Sequence, residues 1–245
     1  MFTLATATLA ANRAEVTTTN LNGGNRAFDN LKANWNKGLS FGDFKTNLQA
    51  KYDYSSNKDF LQEVSFKGDL IEASQDDDVG VAYEVTRNFN NQQTEVKLTA
   101  SSRGTKVSAN YDTEQQLREV SAQRELDIAD QKVDFQPSWM VKARTARVKM
   151  MSALNDGKDK ASLQLDYSAD DGQASNLEVS YQRQLEAGRN FAATFKPEAL
   201  ELELELEDSN FEQGATWTAK ANVPLESSNS LLDSARLSLT RAWDW

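Results

Sequence analysis

The chain has no cysteine and no histidine among its 245 residues. Disulfides, thiolate nucleophiles, zinc sites with Cys or His donors and every triad with an imidazole base are therefore excluded. Disulfide-rich secreted scaffolds go with them. Long apolar runs are also missing. Mean hydropathy is −0.66, and no stretch approaches the ~20 apolar residues of a membrane helix. Basic residues are in deficit, 27 Lys and Arg against 37 Asp and Glu, for a net charge of −10. A general nucleic-acid binder needs a basic face, and no aromatic ladder interleaved with Arg or Lys suggests single-strand binding. Catalysis by paired carboxylates or lysine remains formally open. No pair stands out among the 37 acids, so the chain is read as non-enzymatic, with no cofactor, no metal and no nucleic-acid partner.

Strand patterning fills much of what remains. Alternation of period two runs through Val107 to Tyr111, Leu163 to Tyr167 and Ala199 to Glu207, where four leucines share one face and four glutamates the other. Turn chemistry separates such segments: Ser55 to Asp59, Asn90-Asn91, Ser102-Arg103-Gly104, Asn155-Asp156-Gly157, Asp170-Asp171-Gly172 and Glu186-Ala187-Gly188. The three prolines are expected at edges or loops. The pattern predicts an all-β chain of antiparallel meander sheets with little helix. A short helical turn over residues 226–236 is the exception, and Asn25 to Asn36 reads as strand.

A tripeptide, Glu-Val-Ser or its relic, returns at Ser65, Ser121, Ser180 and Ser238, in steps of 56, 59 and 58 residues. Phe135-Gln136-Pro137 and Phe195-Lys196-Pro197 keep the same step, and the best-matched pair runs from about Gly104 to Ala153 and Gly157 to Glu212. Such a period predicts internal repeats of roughly 58 residues: an N-terminal segment at 1–41, repeats at 42–103, 104–156 and 157–213, and a partial repeat with an aromatic tail at 214–245. On the copied strand, Arg124, Arg183 and Arg241 occupy an otherwise apolar face, with Gly68 in their place in the first copy. Either each lies at a strand end, stem packed and guanidinium in water, or it pairs with a carboxylate of a neighbouring sheet or subunit. The first reading is preferred. Both speak against lipid, since a guanidinium near the bilayer midplane costs about 2–4 kcal/mol, and the apolar faces are some four positions long.

Two further features carry competing readings. Asp76-Asp77-Asp78 reads as a solvated turn, lacking the ligand spacing of a calcium loop. The end of the chain, with Trp243 and Trp245 bracketing Asp244, either closes the protein's own last strand or anchors a neighbouring subunit.

The segment Lys106 to Tyr111, with Phe135-Gln136-Pro137-Ser138, resembles the plant chloroplast outer-envelope pore proteins of about twenty-four kilodaltons, which implies a plastid protein and a β-barrel pore. The doubled Phe-x-Pro units, the terminal Trp243-Asp244-Trp245 and Phe2 after the first Met resemble the diatom pyrenoid shell proteins, which tile around the Rubisco condensate. The preferred expectation is the second. It is a soluble, self-assembling protein of a plastid shell or lattice that supports CO2 fixation, with itself and the Rubisco condensate as partners and Arg124, Arg183, Arg241, Trp243 and Trp245 at the self-assembly interface. The alternatives are a barrel pore of the plastid outer envelope and a monomeric ligand-binding barrel.

Overall fold

The computed structural model describes residues 13–19, 27–41, 44–54, 60–73, 79–114, 116–128, 130–186, 188–225 and 235–244. Their alternating pattern forms sixteen strands: β1 (Arg13–Thr19), β2 (Ala27–Phe41), β3 (Phe44–Asp53), β4 (Leu61–Ile71), β5 (Gly80–Asn88), β6 (Thr94–Ser102), β7 (Thr105–Asp112), β8 (Gln116–Ile128), β9 (Gln131–Met140), β10 (Thr145–Leu154), β11 (Asp159–Ser168), β12 (Gln173–Gln184), β13 (Arg189–Lys196), β14 (Glu201–Glu212), β15 (Ala215–Pro224) and β16 (Arg236–Asp244). A single 3-10 turn, Asn155–Gly157, is the helical element among the described residues. Each strand pairs antiparallel with its neighbours in chain order, and β16 pairs with β1, so the sheet closes into a barrel. At the seam Arg13 faces Asp244 and Thr18 faces Leu239, and the Thr17 and Thr240 hydroxyls lie 2.9 Å apart.

Local chemistry makes the hairpins. Arg103 and Gly104 both take positive φ, 48° and 74°, the two-residue turn whose twist matches the flanking strands. The segments at 90–91, 102–104, 155–157, 170–172 and 186–188 all fall at connections. Those at 55–59 and 76–78, most of 226–236 and residues 1–12 lie outside the described residues. Of the 25–36 segment, residues 27–36 are strand, as expected, and 25–26 lie outside the described residues. Pro137 departs from expectation. It sits inside β9, opposite Val148 of β10, and the ladder to β8 lapses at Pro137 and Gln136 because proline has no N–H to give.

Meander order is as read, but open sheets are not. Closure removes both free edges, and with them the unpaired backbone that a tiling protein would offer. Ser65, Ser121, Ser180 and Ser238 fall on β4, β8, β12 and β16, every fourth strand. Four strands of ordinary length with their turns fill about 58 residues, so an even meander produces that spacing without copied units. The boundaries at 42, 104, 157 and 214 fall in connections of this one closed sheet.

The interior is not a hydrophobic core. Four apolar side chains are buried among the described residues, Ala50, Ala215, Ala235 and Ala242. Strands touch only their immediate neighbours, never the opposite wall. The exposed area is 16879 Å², against about 11,000 Å² for a globular monomer of this mass. Strands ~4.8 Å apart and tilted ~40° give a barrel of sixteen a backbone diameter of roughly 30 Å.

Candidate functional site: the barrel wall and its lumen

Residues opposite one another in an antiparallel ladder share a face, so the register maps two surfaces. One runs through Leu204, Ala221 and Leu237 across β14 to β16, and through Leu98, Ala109, Val120 and Trp139 across β6 to β9. The other runs through Thr99, Ser108, Ser121, Ser138, Arg147 and Asp166 from β6 to β11. A hollow of 330 Å³ draws its lining from all six of those strands, almost wholly from the polar set. One hollow touching six consecutive strands lies on the concave side of a curved sheet. The polar face therefore lines the lumen and the apolar face looks outward. Outward Leu98 and Val179 are 48% and 44% exposed, with no protein over them.

Aromatic residues mark the borders of the outward face. The next-to-last residue of β3, β7, β9, β11 and β13 is Tyr52, Tyr111, Trp139, Tyr167 and Phe195. Odd-numbered strands all end at the same rim, so these rings form a belt there. Tyr54 extends it, stacked 6.2 Å from Tyr52. The opposite border carries Tyr181, Phe191, Trp217 and Trp243. The rims differ in another way. The connections at the Trp243 end are two to four residues long, except one of eight before β5, whereas those at the other end run from three to eleven. β1 begins and β16 ends at the short-connection rim.

The repeated arginines sit at that same rim, toward the ends of β8, β12 and β16. Arg183 lies across from Asp159 of β11, 3.7 Å away. Arg241 pairs with Glu212 of β14 and lies over the rings of Trp217 and Trp243, 5.4 and 4.4 Å from their centres. Arg124 stands between Thr105 and Phe135. For Arg183 and Arg241, strand-end placement and a carboxylate on a neighbouring strand thus occur together. The objection to lipid falls on geometry. A basic side chain costs about 2–4 kcal/mol at a bilayer midplane but only ~0–1 near the interface. From Asp159, level with Arg183, to Tyr167 is eight residue steps along β11, or ~26 Å of strand and ~20 Å of height at the usual tilt. Most strands run 9 to 12 residues, and a spanning strand needs about 9–11.

Of the five residues expected at a self-assembly interface, Arg124, Arg183 and Arg241 lie a quarter turn apart around one rim, so the fold does not gather them. Arg241 and Trp243 are in contact. Trp245 lies outside the described residues.

Charges crowd the lumen and mostly neutralise one another across strands. Arg147 grips Asp166 with two bonds of 2.7 and 2.8 Å, and Asn176, in a bulge with φ 52°, donates to the same carboxylate at 3.1 Å. Lys51–Glu63, Lys67–Glu84 and Lys220–Glu205 close at 2.7, 2.8 and 2.8 Å. The glutamate row of β14 is lumenal. Lys196 holds Glu203 at 2.6 Å, and Asn190 donates to Glu207 at 3.2 Å. Two further hollows, 730 Å³ against β2 to β6 and 430 Å³ against β13 to β16, line the same interior. The lumenal residues were missed in the sequence, although the signal was present as Ser, Thr, Gln and Lys at every second position of strand after strand.

A mostly polar lumen inside a closed sheet with a mostly apolar outer face defines a hollow β-barrel. Among solved structures, the chain superposes on a mutant of the Rh. blastica porin with a TM-score of 0.60 at 9% identity, covering 96% of this chain and 98% of that one. A structure described under asymmetric conductivity of engineered proteins matches with the same values, and a second Rh. blastica porin mutant gives 0.59. No protein-family description and no curated protein matches the sequence. The likeness establishes the porin fold. It overturns the pyrenoid shell, the lattice and the link to carbon fixation: a closed, hollow barrel of porin shape has no edges with which to tile.

Proposed function

We propose that the chain spans a membrane as a sixteen-stranded β-barrel and passes small polar solutes through its lumen. The observation that carries this reading is the inversion of the usual protein plan: a dry, aromatic-bordered exterior around a wet, charged interior with no core. Barrels of sixteen to eighteen strands leave an aqueous channel, whereas eight strands leave room only for side chains or one small ligand, which argues against the ligand-binding alternative. The short strands are no obstacle, because a tilted strand needs only half as many residues as a helix to cross. Likeness to porins, non-enzymatic channels by fold, supports the absence of catalysis. Side-by-side association of several barrels fits the same apolar wall. We assign the membrane to the plastid outer envelope on the resemblance carried by Lys106 to Tyr111 and Phe135 to Ser138.

The test is reconstitution. Purified full-length chain added to a planar bilayer is expected to give stepwise conductance, and in isolated membranes it stays in the pellet after carbonate washing. Recovery as a detergent-free monomer that leaves the bilayer silent would overturn the proposal.

A further inference from the structure

We infer that the outer wall of β14 to β16 holds a fixed site for one zwitterionic phospholipid, its tail in a furrow of the wall and its head on the Arg241 cluster; this rests on the membrane reading and deepens it. A furrow of 250 Å³ lies on the outward face here. Ala219 and Ala221 form its floor, Leu204 and Leu206 of β14 one bank and Leu237 of β16 the other. Among the described strands, β15 alone sets two alanines in succession on the outward face. The banks stand two strand spacings apart, ~10 Å between backbones, and their leucine side chains narrow that gap toward the width of a single hydrocarbon chain. Trp217 closes the furrow at one end and Val223 at the other. Between them lie six residue steps, ~20 Å of strand and ~15 Å of height at the usual tilt. That is half of the ~30 Å hydrocarbon core, so the furrow serves one leaflet.

The Trp217 end lies at the short-connection rim, at the depth of lipid heads. Four charged groups meet on the outward face there. Arg189 pairs with Asp208 at 3.3 Å, and Arg241 pairs with Glu212, whose other oxygen accepts from Trp217 Nε1 at 3.1 Å. Two cations thus face two anions, so the cluster is neutral and gives a head of net charge no advantage. Hydrogen bonding is less even. Among the described residues Arg241 spends Nη2 on Glu212, while its Nε has no hydrogen-bond partner. A guanidinium offers five N–H donors in a fork that matches phosphate. A phosphate on Arg241 frees part of the Glu212 charge, which the cationic end of the same head takes up. The rings of Trp217 and Trp243, and that of Phe211, 76% exposed and edge-on to Trp217 at 5.9 Å, offer π faces that attract a quaternary ammonium. A second barrel fits less well. A stable protein interface buries about 800 Å² per partner, whereas the furrow is one strand wide and has ion pairs at its mouth that a protein neighbour would desolvate.

The test is native mass spectrometry of the full chain in maltoside micelles, with dioleoylphosphatidylcholine as the probe. One lipid per barrel is expected to survive removal of the micelle. Dioleoylphosphatidylglycerol is retained at least threefold less. Dioleoylglycerol, which lacks the head, and glycerophosphocholine, which lacks the tails, are not retained. Arg241→Gln weakens retention at least fivefold, and Arg241→Lys falls in between. Ala219→Leu with Ala221→Leu fills the furrow, leaves the head cluster whole and weakens retention as much. Ala109→Leu, on the outward face of β7, leaves it unchanged. None of these residues faces the lumen, so every variant keeps the wild-type conductance in a planar bilayer, which also shows that it folds. Channels without retained lipid, equal loss in Ala109→Leu, equal retention of the phosphatidylglycerol, or a dimer that the paired alanine replacement dissociates in place of bound lipid overturns the site and leaves the pore standing. Lipid retained in this pattern by a chain that never conducts upholds the site and overturns the pore.

Discussion

Gly68 stands where three other strands carry an outward arginine, and its surroundings exclude any larger residue. A Cβ there would lie 2.6 Å from the carbonyl oxygen of Lys45 and 3.0 Å from the ring of Tyr83. The Tyr83 ring crosses the gap in the wall, and its hydroxyl donates to Thr46 at 2.9 Å, which in turn donates to the Lys67 carbonyl at 3.1 Å. An aromatic covering a strand glycine restores packing that the glycine forgoes. Gly68→Val is therefore expected to destabilise the barrel by about 1–3 kcal/mol through overpacking, read as a lower temperature for the loss of the compact band on semi-native gels. A wild-type transition would refute the close approach. At the opposite border, Trp139→Ala removes an interfacial ring, and the expected result is weaker retention in bilayers with Tm little changed.

At the scale of the strand, adjacent residues of β14 face different solvents. Leu204 looks outward and Glu205 into the lumen. Leu204→Arg puts a guanidinium on the apolar band, at a cost of about 2–4 kcal/mol near the midplane, and should abolish insertion or sharply reduce it. Glu205→Arg should insert normally and shift ion selectivity toward anions. Equal effects, or the reverse order, would show that the faces are misassigned. Strand positions and hairpin turns were legible because alternation and Asp-Gly or Arg-Gly turns are local. The facing was legible too, since Leu and Glu separate cleanly in Leu202 to Glu207. Its meaning was not. Four apolar positions on one strand look too few for lipid, and only beside fifteen neighbours do they make a continuous belt. The arginines misled for the same reason: rim and midplane have no meaning until the strands are stacked in register.

At the scale of the molecule, closure depends on Thr17 meeting Thr240, a pairing that no local signal announces. Long separation of the paired ends predicts slow folding. Refolding from urea into detergent micelles should proceed with a late phase in which protease resistance appears, and deletion of β16 should abolish that phase while leaving much of the β signal. Resistance that persists without β16 would refute the seam. The exterior makes a second demand. With bulky side chains such as Leu98 and Val107 48% exposed, removal of detergent should precipitate the protein rather than yield a monodisperse solution. The aromatic girdles and the division into a polar and an apolar face were invisible from composition because totals such as the net charge of −10 average over both faces.

Both ends of the barrel's chain, the start of β1 and the close of β16, meet at the rim with the brief connections. A fluorescent or protease-cleavable tag inserted beside Arg13 or beside Asp244 would therefore report on one and the same compartment. A tag in the connection after β5 or β9 would report on the other.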